Sequence, residues 1–210
     1  QFLQSDCGIG SLFEHPVGKV IFDFFKNFPQ VYCEEHIHLS GSLAPEFVWP
    51  RLKKLLDSEN GVSILKKIYE VYGSDVKVDS VDAVRKLIEL DPAGDFAEYL
   101  KILFLPKIVL CSKEAHVDAA FFMAQDMYEK YNVGSIRLKF TLSRSTKLKK
   151  EQVPGLHGLT PADVVLGLYE GFEKYKAINP KFEYILSPCF RKELDFYNAD
   201  QFETKKEDFE

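Results

Sequence analysis

Apolar side chains along the chain recur with two periods, and the switches between them mark the elements. Val20, Ile21, Phe24, Phe25 and Phe28 repeat at helical spacing, so residues 16–27 read as an amphipathic helix ending before Pro29. A short apolar run over residues 31–38 reads as a strand. Then comes a long stretch with helical patterning only. Residues 45–56 form a helix with Pro45 in its first turn, residues 63–72 form another that stops at Gly73, and Ser80 caps a third over 81–90. Residues 96–110 are strongly apolar and are kinked or split by Pro106. Ser112 caps a helix over 113–131 with Ala119, Phe122, Met123, Asp126 and Met127 on its mainly buried stripe.

Alternation returns at residues 135–142, where Ile136, Leu138, Phe140 and Leu142 share one side of a second strand. A lysine-rich loop, 143–159, leads to Thr160-Pro161-Ala162-Asp163, a capping sequence with proline at the first helical position. That helix runs to about Ala177, and a third strand covers 182–189. Strands separated by helices imply an α/β fold with parallel pairing. Three strands do not close a barrel, and a complete eight-stranded one takes roughly 250 residues. The pattern therefore reads as the opening part of a (β/α)8 TIM barrel with an enlarged helical first crossover. Residues 1–192 form this portion, and 193–210 are a polar end expected to be poorly ordered or to need a partner.

Composition narrows the function. The 210 residues are 46% hydrophobic, enough for a substantial core. A formal net charge of -5 leaves no basic stripe to displace counterions from a nucleic acid, and the apolar runs are too interrupted to span a membrane. Cys7, Cys33, Cys111 and Cys189 are widely spaced, with Cys33 and Cys189 read as buried thiols; this fits a reduced, cytoplasmic setting. The chain starts at Gln1 and its only methionines are Met123 and Met127, so a piece of a longer or processed product is expected.

Candidate chemistry centres on His36 and His38 at the end of the first strand. Residues i and i+2 of a strand face one way, so both imidazoles can converge on one point. Zinc accepts imidazole nitrogen, and catalytic sites use three protein ligands with an open position. The same spacing suits two partly buried histidines satisfied by backbone carbonyls. Glu34 and Glu35 are adjacent and should face opposite sides, one of them toward helices. His15, His116 and His157 are isolated and expected to be solvent-exposed, Trp49 is a packing residue, and Lys147, Lys149 and Lys150 form a solvated cluster.

The run Glu35-His36-Ile37-His38-Leu39-Ser40-Gly41-Ser42-Leu43-Ala44-Pro45-Glu46 resembles the first-strand signature of the adenosine deaminase family in the amidohydrolase superfamily. Gly158-Leu159-Thr160-Pro161-Ala162-Asp163-Val164-Val165 is similar to a later helix start of that family, and Ile185-Leu186-Ser187-Pro188-Cys189-Phe190-Arg191 to its third strand. The likeness covers most of residues 30–192. It implies a TIM barrel that hydrolytically deaminates adenosine or a related purine nucleoside with one Zn2+, to an inosine-like product.

By that resemblance His36 and His38 are metal ligands, and Ser40, Gly41 and Arg191 are substrate-binding candidates. Arg191 serves equally well in a structural ion pair. Phe96, Leu100, Leu103 and Phe104 would wall a purine pocket or simply pack in the core. The family's third histidine ligand, its catalytic Glu and its Asp belong to later strands, and no matching segment occurs in residues 1–210. The catalytic residues and the remainder of the barrel are thus expected from other chain, and this stretch alone should not be competent. Three positions depart from the family. Ser40 stands where an acid often binds ribose, and Arg137 and Lys139 replace a Glu-x-Arg pair. The other readings are an amidohydrolase acting on a different aminated purine, and a non-catalytic half-barrel interaction protein.

Overall fold

A computed structural model describes residues 14–89, 96–142 and 159–189. Arg191, His157, Cys7, the Lys147–Lys150 cluster and the 193–210 end lie outside the described residues. Helix α1 (Pro16–Lys26) precedes strand β1 (Tyr32–His38) and a 3-10 turn (Leu39–Gly41). The crossover to the next strand holds α2 (Pro45–Leu56), α3 (Gly61–Tyr72), α4 (Val81–Ile88), α5 (Phe96–Ile102), α6 (Phe104–Val109) and α7 (Lys113–Tyr131). Strand β2 (Val133–Phe140), helix α8 (Pro161–Ile178) and strand β3 (Glu183–Pro188) follow. The strands form one parallel sheet in the order β1-β2-β3. The parallel α/β reading and the enlarged helical crossover hold. No helix among the described residues is long and apolar enough to cross a membrane.

Local chemistry explains the helix ends. Ser80 Oγ accepts the Ala83 N–H at 3.1 Å, and Ser112 Oγ accepts the Ala115 N–H at 3.1 Å. Thr160 and Asp163 form a reciprocal capping box at α8. The 96–110 run breaks at Leu103 rather than at Pro106 itself. Pro106 lacks an N–H and its ring would strike the carbonyl of Ile102, so the chain ends α5 there and places Pro106 in the first turn of α6. Strand β2 lies two residues earlier than the alternation predicts, because Asn132 adopts the left-handed conformation (φ 57°) and ends α7 directly before it. The Asn132 side chain also donates to the Phe28 carbonyl at 2.9 Å, and its backbone carbonyl accepts the Tyr32 N–H at 2.8 Å. One residue thus fixes the entry of β1 beside β2.

One face of the sheet carries the core. Ile37, Ile136, Leu138 and Phe140 are buried against the helical layer, where α7 packs on β2 and α8 on β3. A second part of the same core fills the crossover, built on Phe47, Leu52, Ile64, Ile68, Val84 and Leu105. Trp49 packs against it as expected. Helices α7 and α8 approach so closely that a Cβ added at Gly171 would lie 2.2 Å from the Val117 carbonyl oxygen.

Three readings of single residues are corrected. His116 is fully buried rather than exposed: α8 crosses at Gly167 directly over its Cβ, and its Nδ1 lies 2.8 Å from the Ser112 carbonyl. His15 is half-buried, and its Nδ1 accepts the Val17 N–H at 3.2 Å, which caps α1. Cys33 is exposed, because it lies on the sheet face that the helices leave uncovered, while Cys189 is half-buried. The apolar residues of α1 form a helix as predicted, but Val20, Ile21, Phe24 and Phe25 are all at least half exposed.

Candidate metal centre

The sheet face that the described helices leave uncovered is mainly polar, and its chemistry collects at the C-terminal end of β1. Parallel partners share a face, so the register assigns each side chain. Glu34 pairs with buried Ile136, and Ile37 with buried Leu138. Between these points β1 spends one residue more than β2: Glu35 and His36 together oppose Arg137. This is a β-bulge, and both residues emerge on the open face with His38, whose partner is Lys139. Glu34 faces the helical side, as expected for one member of the Glu34–Glu35 pair.

The two imidazoles converge. Their Nε2 atoms are 3.1 Å apart and their ring centroids 5.1 Å apart, with the rings inclined by 46°. One ring donates to the other in the appropriate tautomer. The same spacing suits a shared cation, because a tetrahedral zinc with nitrogens at ~2.0–2.1 Å holds them about 3.3 Å apart. Both side chains are exposed, which leaves the approach open. Partial burial holds the His38 pKa below the usual imidazole value, helped by His36 and the Lys139 ammonium. Its neutral, ligand form is thereby favoured. Among the described residues no cluster of three or more His, Cys, Asp or Glu is placed to cage a metal.

Around the pair, the bulge is held from both sides. Glu34 Oε1 accepts the His36 backbone N–H at 2.9 Å. Glu35 Oε2 accepts from Arg137 Nε at 2.9 Å, and Glu35 Oε1 accepts from the Cys33 thiol at 3.1 Å. The Arg137 hydrogen bond is the main reason the Glu35 carboxyl sits below the usual carboxylate range. Arg137 is thus already paired, whereas Lys139 has no ion pair among the described residues.

Ser40 and Gly41 lie in the 3-10 turn directly after His38, half-buried and exposed respectively. Ser42 closes this turn, its Oγ donating to the His38 carbonyl at 2.8 Å. A Cβ added at Gly41 would sit 3.7 Å from Leu103 Cδ2, so the α5–α6 junction leans over the turn. Leu103 therefore borders the site; Leu100 is exposed, and Phe104 instead packs against Tyr72 with ring centroids 6.2 Å apart.

The bulge, and the hydrogen bonds that Glu34 and Glu35 make to it, escape a reading of the sequence. One signal was present: Val31, Cys33, Ile37 and Leu39 keep an apolar odd-numbered series, and Glu35 interrupts it.

Comparison with solved structures identifies the arrangement of elements. An amidohydrolase from Burkholderia ambifaria, solved with bound zinc, matches 88% of this chain with a TM-score of 0.51 and 15% sequence identity. The shared property is the fold. The match occupies 40% of that amidohydrolase, so the chain spans well under half the length of its structural neighbour. No protein-family model and no curated protein matches the sequence.

Proposed function

We propose that this chain supplies His36 and His38 as two ligands of a zinc site in a hydrolase of the amidohydrolase superfamily, built as the first part of a TIM barrel. The observation that carries the reading is the convergence of the two Nε2 atoms, 3.1 Å apart, at the C-terminal end of a parallel strand. That end is where barrels and open α/β sheets keep their sites. The zinc in the structurally similar amidohydrolase and the family-like sequence around His36 support it. The remaining ligand and the acid–base groups come from protein outside the described residues.

Zinc in such a site acts as a Lewis acid and makes water nucleophilic near neutral pH. The reaction we assign is hydrolytic deamination of adenosine or a related purine nucleoside. Ser40 offers a hydroxyl to the sugar, exposed Gly41 lets the substrate approach the backbone, and Leu103 gives an apolar edge. Arg191 is kept as a substrate-binding candidate on the sequence resemblance alone. A second reading, an amidohydrolase acting on another aminated purine, draws on uncharged Ser40 and on Lys139, the cation across from His38.

The test uses the protein with whatever chain completes the site, purified without chelator. Stoichiometric zinc lost on His36→Ala, together with a fall in adenosine absorbance, supports the first reading. Zinc without adenosine turnover favours the second. Absence of both leaves the non-catalytic interaction protein.

A further inference from the structure

The histidine pair reaches the open face only because the strand changes phase. Two register shifts flank Cys33 and Glu34: β2 carries an extra residue between Val133 and Ser135, and β1 carries one between Glu34 and Ile37. At Cys33 and Glu34 the even-numbered residue faces the helices; from Ile37 onward the odd-numbered ones do. Without the extra residue, the first phase would carry His36 and His38 into the helical layer, since a one-residue slip moves every side chain to the other face. A bulge leaves backbone groups to be satisfied, and here the His36 N–H is taken by the Glu34 carboxylate at 2.9 Å. On the other side, the two bulge residues oppose a single Arg137, whose Nε holds the Glu35 carboxylate at 2.9 Å. The Cys33 thiol donates to the second oxygen of the same carboxylate.

We infer that Arg137, acting through Glu35, is a positioning residue for the His36–His38 pair: the cross-strand ion pair locks the bulge that aims both imidazoles at one point. The inference rests on the proposed metal role of the pair, but its geometric half stands separately. Its sign is also distinctive. Arg137 is a cation on the same face as the imidazoles, so acting through space alone it would oppose a divalent ion, and its removal would tighten binding. Acting by position, its removal loosens binding.

The experiment is a Zn2+ titration of the protein with whatever chain completes the site, followed by the imidazole 15N resonances of His36 and His38. The comparison is between wild type, His36→Ala, Arg137→Lys and the double variant E35Q/R137M, which leaves net charge unchanged. The double variant should bind zinc about tenfold more weakly, as is typical when a group orienting a ligand is lost. Arg137→Lys keeps a cation within reach of Glu35 and should retain most of the affinity. Equal or tighter zinc binding by the double variant overturns the inference.

If wild type binds no more zinc than His36→Ala, the metal reading fails, and the inter-ring nuclear Overhauser contact then decides the positioning role. That contact should appear in wild type, where the centroids are 5.1 Å apart, and vanish in E35Q/R137M with the remaining amide spectrum intact. Its absence from wild type, or its persistence in the double variant, overturns the proposal.

Discussion

Replacing Gly171 by alanine tests the packing that supports the sheet. Gly171 lies in α8 where the helix crosses α7, and an added Cβ would be 2.2 Å from the Val117 carbonyl oxygen and 2.7 Å from Ala120 Cβ. An ordinary carbon–oxygen contact is ~3.3 Å or more. Neither obstacle is the end of a flexible side chain, so no rotamer change relieves the clash. The helices must part by about 1 Å instead. That separation loosens Val164, Leu168 and Phe172, which are fully buried at this crossing. Overpacking of this kind costs about 1–3 kcal/mol, and two immovable contacts place Gly171→Ala near the upper end. Alanine recovers ~1 kcal/mol of helix propensity. The net is a loss of about 2 kcal/mol, or ~4–8 °C in Tm for a chain of this size. Urea and thermal unfolding followed by far-UV circular dichroism measure it. Gly41→Ala is the control, because its added Cβ meets only Leu103 at an ordinary 3.7 Å and should leave stability unchanged. If Gly171→Ala is as stable as wild type, the close helix crossing described here is wrong.

Other outcomes follow from the same structure. Phe172→Ala removes a fully buried ring stacked 4.7 Å from Tyr184, and should cost about 3–5 kcal/mol in denaturant unfolding. Thr160→Ala deletes the α8 cap and should cost about 1 kcal/mol by the same assay. Its partner Asp163 has a carboxyl held below the usual value by hydrogen bonds from the Thr160 backbone and hydroxyl. A depressed folded-state pKa stabilises above the unfolded-state value, ~3.9, and that contribution disappears as pH falls through the folded value. Asp163→Asn should therefore flatten the acid limb of a stability–pH curve, and an unchanged limb would contradict the capping box. His36→Ala and His38→Ala should each abolish zinc binding in equilibrium dialysis while leaving the unfolding midpoint within experimental scatter, since both side chains are exposed.

Much of this architecture was legible because local and global signals agreed. Ser80, Ser112 and Thr160 mark helix starts by chemistry that needs no tertiary contact, and each caps as expected. The alternation of Ile136, Leu138 and Phe140 fixed which side of β2 meets the helices. Readings failed where a neighbour decided the outcome. Nothing local to His116 announces that a glycine of α8 will lie on top of it. The α1 stripe has the periodicity of a buried helix, yet among the described residues Val20 and Phe24 remain 68% and 59% exposed. Cys33 was misread because its apolar surroundings conceal the change of phase two residues later.

That change of phase links the fold to the chemistry. Parallel sheets are normally covered on both faces and carry apolar residues on both. Here the second face presents Cys33, Glu35, His36 and His38 on β1, Ser135, Arg137 and Lys139 on β2, and Glu183, Ile185 and Ser187 on β3, with Ile185 its exposed apolar member. Covering such a face with an apolar layer would strand an ammonium and two imidazoles away from water, a far larger cost than a helix could return by packing. The surface therefore suits contact with water or with polar partners rather than an apolar layer. The Glu35–Arg137 ion pair sits at the bulge, where it sets the aim of the adjoining imidazole. The additional residue on β1 also offsets one that β2 carries between Val133 and Ser135. A strand that must turn His36 and His38 away from its own hydrophobic core requires it.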